Sequence, residues 1–142
     1  MRWSRDRNIA AAGNPWESLS REMDRARRYG RPLGLVQITP ASEAALEFVR
    51  SFVRAGDEVW RDRNRILVML PEADQTCANG MVERLRERGA HVLAGADVRL
   101  ASFPQDGLTA MALLDELAQA HQPTRRFAPR AVIAEDAQLR AG

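Results

Sequence analysis

The chain has 142 residues, 45% hydrophobic and 28% charged, a balance that suits one globular domain. Such a length buries about 68–70% of the surface that the unfolded chain exposes. A net charge of +2 is too small to argue for a nucleic-acid partner, although 21 basic residues, all arginine, lift the pI to about 9.4.

One cysteine, Cys77, excludes an internal disulfide. No apolar run approaches the roughly 18 residues of a membrane span. The N-terminus lacks the apolar stretch of a secretory signal, so a cytoplasmic protein with no membrane partner is expected.

Residues 1–13 carry three arginines and Trp3, and read as a loose arm, with docking of Trp3 on a partner or on the domain as the alternative. Asn14-Pro15 is a helix start, since proline at the first helical position gives up a hydrogen bond it would not make. Trp16, Leu19, Met23 and Ala26 then form one expected buried stripe, and Gly30 with Pro32 ends the helix. Leu33–Thr39 predicts the first strand. Ser42 caps a second helix with Ala45, Phe48, Val49, Phe52 and Val53 inward.

The centre of the chain is a hairpin. Asp57–Arg61 and Arg65–Leu70 predict two strands joined by the polar turn Asp62-Arg63-Asn64. Ile66-Leu67-Val68-Met69-Leu70 is continuously apolar, as expected of a strand covered on both faces, and Pro71 ends it. Asp74 is the expected N-cap of a helix to Arg88 that buries Cys77, Ala78, Met81, Val82 and Leu85, closed by Gly89.

His91–Ala94 reads as a short edge strand. Asp97–Phe103 reads as a better one, with Val98, Leu100 and Ser102 on one face. Thr109 caps a last helix with Met111, Leu114, Leu117 and Ala118 inside. Residues 122–142 are a flexible tail or a segment that docks on a partner. The domain proper is therefore expected over 14–121, an α/β (α+β) fold with a mostly antiparallel sheet and helices packed on it.

Four stretches carry a family resemblance. Asp57-Glu58-Val59-Trp60-Arg61, a tight turn and Ile66–Pro71 resemble the signature hairpin of GGDEF domains, the diguanylate cyclases. Arg25–Leu33, Val82–Arg86, and Phe103–Gly107 with Ala112–Leu114 fall in matching order before and after it, so that the likeness spans Trp16 to Ala120. It implies a shortened nucleotide-cyclase, ferredoxin-like layout in bacterial signalling. The GGDEF pentad itself is missing: its place reads Asp62-Arg63-Asn64-Arg65-Ile66.

Cyclase chemistry needs two magnesium ions on hard oxygen ligands. Thr39 and Ala41 stand where the resemblance calls for metal-binding aspartates, and Arg65 stands near the catalytic carboxylate's place. No metal, no cofactor and no enzymatic activity are therefore expected. His91 and His121 do not have metal-ligand spacing.

The resemblance also implies a product-binding Arg-x-x-Asp site just upstream of the hairpin, and Arg54-Ala55-Gly56-Asp57 occupies it. A guanidinium can grip guanine O6 and N7, and a carboxylate can accept from N1 and N2. Arg54 and Asp57 are thus the candidate ligand residues, with cyclic di-GMP the candidate ligand. Against this, the tetrad is common in so arginine-rich a chain, and Arg21-Glu22-Met23-Asp24 is a second instance. Arg54 in a last helical turn with Gly56 as cap is the plain structural reading. Arg61, Arg63 and Arg65 around the turn are a second possible anion-binding set, weighed against an ordinary solvated hairpin. A nucleotide-independent scaffold using the arm or tail on a protein partner is the alternative function.

Overall fold

The computed structural model describes residues 15–119 and 125–126. Asn14, the arm with Trp3, and all of the 122–142 tail except residues 125–126 lie outside the described residues. The elements run α1 Pro15–Tyr29, β1 Leu33–Thr39, α2 Glu43–Phe52, β2 Glu58–Asp62, β3 Arg65–Pro71, α3 Gln75–Arg88, α4 Ala90–Leu93, β4 Asp97–Phe103, α5 Ala110–Ala118 and β5 Arg125–Arg126.

The strands form one antiparallel sheet in the order β2-β3-β1-β4-β5. β1 to β4 with α2 and α3 make a ferredoxin-like unit. β5, two residues from the segment read as a tail, pairs with Asp97 and Val98 at the start of β4.

Alternation along β3 explains why its apolar run is unbroken. Ile66, Val68 and Leu70 face a core built with Ala45, Leu46 and Val49 of α2 and with Ala78, Val82 and Leu85 of α3. Leu67 and Met69 face the opposite core, with Leu19 and Met23 of α1 and Leu113 and Leu117 of α5. The strand is covered on both sides, as its composition requires.

Helix ends follow the local chemistry. Ser42, Asp74 and Thr109 each accept a hydrogen bond from the amide three residues on. Gly30 ends α1 at φ +64°, a conformation that L side chains resist. Gly34 in β1 has a different role: a Cβ there would meet Ala78 Cβ at 3.2 Å, so its absence lets α3 lie close on the sheet.

Several sequence expectations are corrected. Trp16 is 42% exposed, because the α1 face that meets the sheet is Leu19, Met23 and Ala26, with Ser18 beside them. Cys77 is exposed, since it sits in the first turn of α3 beyond the sheet's cover. The last helix buries Ala110, Leu113 and Leu117, while Met111 and Ala118 face out; its stripe is rotated by one residue.

His91–Ala94 is not a strand. Val92 and Leu93 donate to the Gly89 carbonyl, which winds the chain into α4 and drives Leu93 into the core. The hairpin turn is two residues, Arg63-Asn64, because Asp62 pairs with Arg65 in the ladder. Asp57 precedes β2 rather than opening it.

Candidate functional site

α2 stops at Phe52, and Val53 is its C-cap, so Arg54 lies in the following loop and Gly56 is not a helix cap. The loop is closed by two reciprocal bonds. The Asp57 amide donates to the Arg54 carbonyl at 3.0 Å, and the Arg54 amide donates to Asp57 Oδ2, also at 3.0 Å. That bracket is why the two candidate residues are brought together, with Arg54 Nε 4.0 Å from Asp57 Oδ2.

Their settings differ sharply. The Arg54 side chain is 78% exposed, whereas that of Asp57 is 6% exposed. An ion pair with one partner so hydrated contributes little stability. Burial pushes the Asp57 carboxyl above its ordinary value, partly offset by the Arg54 amide and then by the Arg54 charge. Glu58 is also raised, first by burial and then by Glu22, with Arg21 opposing.

The Asp57 shift makes a pH prediction. A raised folded-state pKa means that the folded protein holds this proton more tightly than the unfolded chain does. Ionising Asp57 therefore costs stability as pH rises through the carboxylate range. Asp57→Asn keeps an acceptor for the Arg54 amide and removes that cost. It should melt above the wild type at pH 7, and the gain should vanish below the ordinary value of 3.8. Melting curves at both ends decide this, and a variant less stable at pH 7 would contradict it.

Gly56 leads from this loop into a groove of about 380 Å³ between the end of α1 and the start of β1. Its walls include Arg25, Tyr29, Arg31 and Glu72, and Arg31 Nη1 reaches Glu72 Oε2 at 2.7 Å. Sequence reasoning did not single out Tyr29, which is 61% exposed. The signal was an aromatic in the last turn of a helix otherwise occupied by arginines.

At the hairpin tip the three arginines do not converge. Arg61 lies on the α2 side and binds Glu43 Oε2 at 3.1 Å. Arg65 points to the opposite face, where its fork binds Asp62 Oδ2 at 2.8 and 3.1 Å and Gln37 Oε1 at 2.9 Å. Arg63 is exposed at the turn with φ 58°, and its carbonyl accepts from Arg61 Nε at 3.5 Å.

Thr39, Asp62, Arg63, Asn64 and Arg65 line an open depression there of about 480 Å³. Asn64, read in the sequence only as part of the polar turn, ties the tip to the end of β1 by accepting from the Ala41 amide at 3.3 Å. These donors do not fit a pair of magnesium ions. Ala41 offers no side-chain oxygen, Thr39 a neutral one, and Asp62 is engaged by a guanidinium. Among the described residues no three His, Cys, Asp or Glu side chains group to hold a metal, and no helix is long and apolar enough to cross a membrane.

No protein-family model matches the sequence, and neither does any curated protein. Solved structures do match. A DGC (diguanylate cyclase) protein from Thermotoga maritima aligns at TM-score 0.61 and 18% identity, over 73% of this chain and 88% of that one. The active GGEEF domain of a diguanylate cyclase from Vibrio cholerae aligns at TM-score 0.62 and 15% identity, over 74% and 83%. The diguanylate cyclase SiaD of Pseudomonas aeruginosa, solved with its activator SiaC, aligns at TM-score 0.52 and 18% identity, over 80% and 55%. At such identities the likeness is one of architecture, and across nearly three quarters of its length this chain has the fold of the GGDEF domains of diguanylate cyclases.

Proposed function

We propose that this chain is a catalytically inactive GGDEF-like signalling domain that reads cyclic di-GMP through Arg54 and Asp57. One observation carries the reading. The closed Arg54–Asp57 turn holds an exposed guanidinium beside a carboxylate, at the margin of a groove, on the loop that enters the hairpin. Those are the two groups that complement the edges of a guanine. The inactive half of the reading is supported by the side chains at the hairpin tip, which lack the set of hard-oxygen ligands that a metal-bound triphosphate needs. Incubation with GTP and Mg²⁺ or Mn²⁺ should yield no cyclic di-GMP by chromatography. Turnover abolished by a change at Asp62–Arg65 would overturn that half of the reading.

Calorimetry tests the other half. Arg54→Ala should weaken cyclic di-GMP by about 1–3 kcal/mol, the range for a good bidentate base contact. Asp57→Asn preserves the turn and removes one of two acceptors, so it should weaken guanine binding by a similar amount while raising the melting temperature at pH 7. Arg21→Ala, in the second copy of the tetrad, serves as the unchanged control. Wild type silent at high micromolar ligand would end the receptor reading.

A second reading is a nucleotide-independent scaffold that binds a protein through its arm or tail. The burial of Asp57 favours it, since a carboxylate already bonded to the backbone works as a turn lock with no ligand at all. The same titration separates the two.

A further inference from the structure

On the α1 and α5 side of the sheet, away from the Arg54 loop, a depression of about 220 Å³ opens between the first turn of α1, the strands and α5. Its wall is apolar: Trp16, Leu19, Leu35, Leu67 and Leu114, with Trp60 among them. One end is closed by Asp62 and Arg65, whose mutual hydrogen bonds leave that end nearly neutral.

Trp60 is 1% exposed, and its indole Nε1–H is buried without a hydrogen-bond partner. Buried indole N–H groups normally find an acceptor, because leaving one unmet forfeits its hydration with no return. The floor of the depression is tightly closed, with Leu35 at 0% and Leu19 and Leu67 at 2% exposure. The wall that can give is Trp16, at 42% exposure. The volume exceeds the roughly 150 Å³ apolar cavity that is known to admit benzene.

We propose that this depression is a binding site for a small aromatic molecule bearing one acceptor oxygen, carbonyl or carboxylate, which meets the Trp60 Nε1–H as Trp16 turns aside. The ring takes the place of the missing apolar contacts and the oxygen satisfies the orphaned donor. Neither requirement involves Arg54 or Asp57, so the site stands or falls independently of cyclic di-GMP.

The full chain, labelled with ¹⁵N, is titrated with acetophenone, benzoate and toluene while the tryptophan indole resonances are followed. Trp60→Phe identifies the Trp60 signal by its loss. Acetophenone or benzoate should move that signal downfield in a saturable way and bind about fivefold more tightly than toluene, the worth of one modest hydrogen bond. Benzoate ahead of acetophenone assigns a carboxylate ligand, and the reverse order a neutral carbonyl. In Trp60→Phe the preference over toluene should disappear. Leu114→Phe, which narrows the opening from a half-buried position, should weaken all three probes at least tenfold in a chain of unchanged melting temperature. A Trp60 signal that stays put at saturating probe, or a preference that survives Trp60→Phe, overturns the proposal.

Discussion

Val68→Asp should leave no soluble folded protein. Val68 is fully buried in β3, opposite Val36 of β1 and Val59 of β2, and its side chain enters the core between α2 and α3. The side chains of that cluster are all apolar and offer an aspartate neither a cation nor a hydrogen-bond donor. It would lose about 1.5–3 kcal/mol of apolar burial and add several more for an unpaired buried charge. Total stability for a domain of this kind is typically about 5–15 kcal/mol, so the folded state is not expected to survive. Soluble yield and far-ultraviolet circular dichroism read the result. Arg63→Asp, at the exposed turn, is the matched control and should shift stability by no more than about 0.5 kcal/mol. A cooperative melt near the wild-type temperature for Val68→Asp would mean that the sheet is covered on one face only.

The two tryptophans of the described residues should behave very differently. Trp60→Ala should cost about 3–5 kcal/mol, since it empties a fully buried site where α1, α5 and β3 meet. Trp16→Ala, at a half-exposed position, should cost less than about 1 kcal/mol. Urea denaturation of both variants measures the difference. Equal losses would return Trp16 to the core and turn α1 by a residue on the sheet.

Several elements were legible in the sequence because their causes are local. An apolar run between a polar turn and Pro71 is a buried strand wherever it occurs, and Ser42, Asp74 and Thr109 cap helices with bonds to residues three positions on. The opposed directions of Arg61 and Arg65 were not legible: a three-residue turn would set them opposite each other on one face, whereas the Asp62–Arg65 pairing puts them out of step, so period-two alternation sends them to opposite faces. The site pair was legible only as a spacing. That Asp57 turns inward onto the Arg54 amide while Arg54 stays in water depends on where α2 ends, and α2 ends two residues before Arg54.

By itself the sequence determined the order of the principal elements, the doubly covered β3 and the absence of carboxylates at Thr39 and Ala41. The tertiary structure alone decided which flank of each helix is wet. An apolar stripe on a helix is broad, so Trp16 and Met111 each satisfy the spacing, yet only the residues directly over the sheet are covered. It alone turned 90–93 into a helix, because Leu93 gains more by entering the core beneath α2 than its short segment could gain as an unsupported edge strand. Local hydrogen bonds and periodicity act within a few residues and can be read there; burial depends on elements far apart in sequence and appears only when they meet.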